Sequence, residues 1–273
     1  MQPYVVIRGG GDLASGVAFR LFKAGVRLLI LELPAPQAVR RLVSFSEAVF
    51  DGEITVEGIK AVRIDNAEPL VRIWKENAIP VLVDPEAKII QRFHPVALID
   101  ARMTKRSPAN DYPAEWPIIG LGPGFTAGEN CDAAVETMRG PFLGRVYWQG
   151  STAADTGIPE NIGGQQTGRV LRAPAAGRFT PLVRIGDCVQ TGCIIGQVDG
   201  SEVRASFTGV VRGLLRDGTY VQAGMKIGDL DPRLDLQLWK LISEKSLAIG
   251  GGVLEALLTI EHVRNALWAS SSL

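Results

Sequence analysis

The chain has 273 residues, 46% of them hydrophobic and 21% charged, and its 29 basic and 29 acidic side chains leave a formal net charge of zero. Such a balance offers no excess positive field to a nucleic-acid backbone or an anionic membrane, so neither is an expected partner. Three cysteines without a C-x-x-C pair and only two histidines make no standard zinc or disulfide framework, and no apolar run has signal or membrane-spanning length, so a cytoplasmic, metal-free protein is expected.

The first elements read as a βαβ beginning. Tyr4 to Ile7 is short, apolar and β-branched, as in a strand buried on both faces of a parallel sheet. Three glycines follow, and then Leu13, Ala14, Val17, Ala18, Leu21 and Phe22 recur at helical spacing, with Gly25 as the C-terminal glycine. A second strand, Val26 to Leu31, ends at Glu32. Taken as Gly9-x-Gly11-x-x-Ala14, the loop fits a dinucleotide fingerprint, with Glu32 near the place where an acid bonds a ribose hydroxyl. Gly10, Ser15 and Gly16 complete the expected cofactor-binding turn. Asp12 reads as a helix cap, although a carboxylate beside a pyrophosphate would repel it.

Further along, Arg40 and Arg41 can clamp an anionic group or lie on a solvated face. Strands are expected at Ala61–Ile64, Pro80–Val83 and Val96–Ile99, with a helix over Glu68–Asn77. Asp100 and Arg102 then stand at the carboxyl end of a strand, the edge where open α/β sheets bind ligands; a salt bridge there is the plainer reading. Trp116 to Ile119 runs into a second glycine loop, whose Gly122, Gly124 and Phe125 amides would form an anion nest. The segment from Cys131 to Met138 is expected to be helical, which would place Cys131 on a first turn as either a thiol of lowered pKa, and so the one catalytic candidate, or a small buried hydrophobe. Leu143 to Trp148 closes the pattern as a strand, and the alternation points to a Rossmann-like parallel sheet.

The C-terminal half holds an internal repeat. Ala173–Asp199 lies over Ala205–Asp231 without a gap, matching Gly177 with Gly209, Arg184 with Arg216, Gly192 with Gly224 and Asp199 with Asp231 among other identities. Each copy should be a small antiparallel unit, and the two should pair as a pseudo-twofold β-sandwich or flattened barrel. The repeat resembles biotinyl and lipoyl carrier domains, in which the modified lysine sits on the hairpin between the halves; here that hairpin, Val198 to Arg204, has none. A module for packing, dimerisation or docking remains, and with it a homodimer. Gly250 to Gly252 mark either a second helix N-terminus or a break between two helices. The expected plan is an α/β protein with a Rossmann-like nucleotide-binding-type domain at 1–165, a biotinyl/lipoyl-like β-module at 166–232, and terminal helices at 233–273 packing back on the first domain.

Taken together, "RGGGDLASGVAFRL", "VSFSEAV", "ALIDARM", "IGLGPGFTAG", "ETMRGPFLGRVY" and "AIGGGVLEAL" resemble the YqeB-type accessory proteins of selenium-dependent molybdenum hydroxylases. The resemblance implies a maturation factor working beside the molybdenum hydroxylase apoenzyme. Whether it catalyses a reaction stays open, and no cofactor is identified; the candidates are NAD(P) or a molybdopterin nucleotide cofactor, with Cys131 handling sulfur or selenium. The alternative reading is an NAD-dependent oxidoreductase with Glu32 on the ribose.

Overall fold

The structure, a computed structural model, describes residues 2–108, 115–157, 167–235 and 237–268. The chain forms two compact units: one of Met1–Pro36, Phe45–Asp155 and Ile242–Leu273, the other of Gln37–Ser44 and Thr156–Leu241. The boundary expected between residues 165 and 166 lies outside the described residues.

The first unit is built on strands β1 (Val5–Arg8), β2 (Leu28–Glu32), β3 (Glu53–Val56), β4 (Ile59–Ile64), β5 (Ile79–Val83), β6 (Ala97–Asp100) and β7 (Ile118–Leu121), followed by β8 (Thr126–Ala127), β9 (Ala133–Val135), β10 (Val146–Tyr147) and β11 (Gly150–Ser151). All but β8 and β11 join one nine-stranded sheet in the order β10-β9-β7-β6-β1-β2-β5-β4-β3. Its middle is parallel, and every residue of β1, β2 and β6 is buried, which explains their unbroken apolar runs. Both edges are antiparallel, β3 against β4 and β10 against β9. The helices are α1 (Asp12–Lys23), α2 (Ala48–Asp51), α3 (Leu70–Lys75), α4 (Glu244–Thr259) and α5 (Glu261–Trp268).

Two expectations are corrected in this unit. The segment Cys131–Met138 is not helical: it holds the strand β9 (Ala133–Val135), parallel to β7 through Ile119↔Ala133 and Leu121↔Val135, and Cys131 lies just before it in an isolated bridge to Ala127. The segment's Ala and Glu content favours a helix locally, but a short apolar run buried on both faces carries no periodicity of its own, and sheet pairing decides. The glycine triplet Gly250–Gly252 lies inside α4, neither at a helix start nor at a break. A Cβ at Gly250 would sit 2.7 Å from the Gly16 carbonyl oxygen, and one at Gly252 would sit 2.1 Å from that of Gly144. The triplet therefore lets α4 lie against α1 and the Gly144 loop.

The second unit contains β12 (Val170–Arg172), β13 (Gly177–Pro181), β14 (Cys188–Val189), β15 (Ile194–Val198), β16 (Ser201–Arg204), β17 (Gly209–Leu214), β18 (Tyr220–Val221) and β19 (Lys226–Asp231). They form two four-stranded sheets, β12-β19-β17-β14 and β16-β15-β13-β18. The repeat offset pairs β12 with β16, β13 with β17, β14 with β18 and β15 with β19, and this exchange turns one sheet order into the other. Each sheet is thus made from strands of both copies, and neither copy is a self-contained antiparallel unit as the sequence suggested. Phe179, Ile195, Val198, Val211, Leu214, Val221, Ile227 and Leu230 fill the core between them.

The unit is also not purely C-terminal. Leu214 N–H donates to Val39 O at 2.8 Å, and Arg41 Nε donates to Leu214 O at 3.0 Å, so Gln37–Ser44 belongs to it. The expected fold class, a Rossmann-like parallel sheet followed by a C-terminal biotinyl-like module, is overturned. The sheet is mixed, with antiparallel strands at both edges, and the β-rich unit draws a segment from the N-terminal half.

Candidate functional site

The carboxyl ends of β1, β2 and β6 lie side by side, which brings Arg8, Glu32 and Asp100 to one edge of the sheet. The chain turns from β1 into α1 through Gly9, Gly10 and Gly11, and the three glycines have different reasons to be there. Gly9 has φ +93°, and a Cβ on it would meet Ala101 O at 3.1 Å. A Cβ on Gly10 would meet Ser46 N at 2.9 Å. Gly11 has no neighbour within 4 Å of that position and caps α1 in extended backbone without a side-chain bond. The open side of the loop is at Gly11.

The rest of the loop is stitched to its surroundings. Gly10 N–H donates to Glu32 Oε1 at 2.6 Å, and Leu33 N–H donates to Glu32 Oε2 at 2.7 Å. Burial pushes the Glu32 carboxyl above the ordinary range, and these two amides pull it back in part. Gly10 O accepts from Ser46 N–H at 2.9 Å and from Ser15 Oγ at 3.1 Å, while Ser15 Oγ itself accepts from Phe45 N–H at 2.9 Å. Ser46 is fully buried, and among the described residues its Oγ has no hydrogen-bond partner, an arrangement that costs about 1–3 kcal/mol in a closed core. Ala14 is buried on α1, and Gly16 is the point where α4 comes closest, with a Cβ there only 2.4 Å from Ser246 Cβ.

Asp12 opens α1 and accepts from Ser246 Oγ at 3.2 Å, and Ser243 caps α4 by accepting from Ser246 N–H at 3.1 Å. The contacts of residue 12 with 246 and of 16 with 250 show that α1 and α4 run the same way, so both N-termini stand at this edge. Asp100 is buried and takes Arg102 Nε and Nη2 in a fork at 3.0 and 2.6 Å.

The other expected residues fall elsewhere or take other roles. Arg40 and Arg41 belong to the second unit, where Arg40 Nη2 donates to Leu241 O at 2.7 Å and Arg41 to Leu214 O. Gly122 N–H donates to Val135 O at 2.9 Å, and Phe125 N–H points to Gly122 O at 3.5 Å. A Cβ at Gly122 would strike Thr137 Oγ1 at 2.3 Å, and one at Gly124 would strike Arg106 O at 2.4 Å, so this glycine loop is closed by protein packing. Cys131 is buried beside Phe125 and Ala127 with no helix behind it, and desolvation pushes its thiol up to about 12, against the weaker pull of the Gly120 backbone. The dipole argument for a reactive thiol goes with the missing helix.

Two residues escaped the reading of the sequence. Ser46 stood inside a quoted segment but carried no pattern, because its importance comes from the approach of Gly10. Glu136 is buried and staples its loop by accepting from Thr137, Met138 and Ala153 N–H, each at 2.7 Å. Among the described residues no three His, Cys, Asp or Glu side chains gather as a metal site. No single described helix is long and apolar enough to cross a membrane; α4 and α5 pass that test only as a pair bent by 99°.

No family model matches the chain. It is 45% identical over 258 residues, 94% of its own length, to the uncharacterised protein YqeB of Escherichia coli (strain K12), and it spans about half, 48%, of that relative. Among solved structures it aligns with an aspartoacylase family protein from Mesorhizobium loti at a TM-score of 0.26 and 12% identity, over 84% of this chain and 85% of that one. A succinylglutamate desuccinylase from Silicibacter aligns at 0.25 and 10%, over 84% of each. Scores this low carry neither fold nor function across.

Proposed function

We propose that this chain is an accessory factor that holds a nucleotide-bearing molybdenum cofactor on its way to a hydroxylase apoenzyme, binding it at the carboxyl edge beside Gly11. The observation that supports this reading is convergence. Segments more than 200 residues apart in the chain meet around one turn: the glycine loop, Phe45 and Ser46 of "VSFSEAV", Ala101 of "ALIDARM", and the start of α4 before "AIGGGVLEAL". Packing alone accounts for Gly9, Gly10, Gly16 and Gly250. It does not account for the open Gly11 position, and this is the feature that fits a ligand phosphate at the start of α1.

In this reading the α1 amides beyond Gly11 hold the anionic group, and Arg102 on Asp100 contributes positive charge at the same edge. The cofactor brings the metal chemistry that the receiving enzyme uses; this chain supplies holding and orientation. Glu32 is committed to the loop amides, and neither histidine belongs to the site: His94 lies 3.7 Å from Glu115, and His262 is on α5. The NAD-linked alternative therefore finds its ribose ligand already in use.

Titration calorimetry of the purified chain against NAD, NADP, CTP and isolated molybdopterin dinucleotide cofactor tests the proposal. Binding of the molybdopterin dinucleotide, lost in a folded Gly11→Val variant, is the expected result. Tight NAD binding without cofactor binding would overturn it.

A further inference from the structure

We infer that a second ligand site, separate from the glycine turn and independent of the reading above, lies at the carboxyl ends of β4 and β5 and takes a planar aromatic ring bearing a carboxylate. A cavity of about 600 Å³ opens there, lined by Asn66, Ala67 and Glu68 from the turn after β4 and by Lys88, Ile89, Arg92 and Phe93 from the segment after β5. That volume lies within the usual range for small-molecule sites, about 300–1,000 Å³, and the carboxyl edge of parallel strands is where such sites form.

The chemistry of the lining selects the ligand. The Arg92 backbone N–H donates to Ile89 O at 3.1 Å, but its side chain makes no hydrogen bond or ion pair among the described residues; the guanidinium lies over the Phe93 ring, 5.4 Å from the centroid. Together with half-buried Ile89 and Phe93, it gives the cavity an apolar wall beside a cation, against which an aromatic ring can pack. Lys88 is already paired with Glu86 at 2.6 Å, so Arg92 is the cation left to meet a ligand carboxylate. Asn66 Oδ1 accepts from Glu68 N–H at 2.9 Å, which leaves the Nδ2 donors of this lining residue available to the same ligand group. Glu68 on the rim discriminates against ligands of higher negative charge. The base of the cavity is rigid, because Asp84 accepts from both Lys88 and Ile89 N–H, at 3.0 and 2.8 Å.

Titration calorimetry of the full chain with nicotinate, pterin-6-carboxylate and inorganic phosphate, repeated on Arg92→Ala and Arg92→Lys, decides the matter. The expected result is saturable binding of at least one ring acid, no binding of phosphate, and an affinity loss of about tenfold or more in Arg92→Ala, partly restored in Arg92→Lys. Arg92 is exposed, so unchanged thermal melting of the variants shows that they fold. Absence of ring-acid binding, equal binding of phosphate, or binding indifferent to Arg92→Ala would each overturn the inference.

Discussion

Single residues show how one repeated letter serves unlike purposes. Gly11→Ala fills open space at a compatible backbone angle and should stabilise the chain by about 0.4–1 kcal/mol through the unfolded state. Gly16→Ala forces a methyl into Ser246 and should cost about 1–3 kcal/mol. Urea denaturation of the two variants reads both effects, and equal shifts would show that the loop is not open at Gly11. Glu32 adds a pH signature. Its folded pKa is raised by burial, so the folded state holds the proton more tightly, and the stability this lends is complete below the ordinary value of 4.5 and lost as pH rises through the folded value. Measured against Glu32→Gln, wild-type stability should fall relatively as pH rises through that window. Cysteine chemistry separates in the same way: iodoacetamide at mildly alkaline pH should modify exposed Cys188 in the native protein and leave buried Cys131 untouched, a pattern read by mass spectrometry.

Between elements, the contacts that matter join segments distant in the chain. Helices α1 and α4 run the same way, which would set two positive dipole ends together; Asp12 and Glu244 in their first turns offset that repulsion. In the second unit a buried ionic cluster sits on β17 and β19. Asp229 accepts from Arg169 at 3.2 Å and lies 3.6 Å from Arg212, while Asp231, on balance held low by Arg233 and Arg212 against the opposing effect of burial, takes Arg233 in a fork. The first repeat copy has Gln197 and Thr180 where the second has Asp229 and Arg212, so the cluster breaks the pseudo-symmetry of the sheets. Asp229→Ala leaves two arginines buried beside the gap and should cost about 3–5 kcal/mol, measured by thermal or chemical unfolding of the full chain.

At the scale of the whole chain, each compact unit depends on segments that the sequence order sets apart. Gln37–Ser44 belongs to the second unit, so the Leu214 amide, bonded to Val39 O, should be protected from hydrogen exchange in the full chain and exposed in an isolated 156–241 fragment. Equal protection in both would remove the segment from that unit. The sequence by itself determined the strands of the parallel middle, the strand-loop-helix turn at Gly9–Gly11 and the existence of the repeat. These are short-range patterns, set by apolar runs and glycine spacing within a few residues. It misjudged Cys131–Met138 and Gly250–Gly252, where local propensity and spacing were outvoted by pairing with β7 and by the approach of α1. Only the tertiary structure decided that the repeat copies exchange strands, that Glu32 and Ser46 close on Gly10, and that Gly11 alone of the three glycines stays open. Those outcomes depend on which backbone atoms come within about 3 Å of one another across tens to hundreds of residues, a distance that no local pattern encodes.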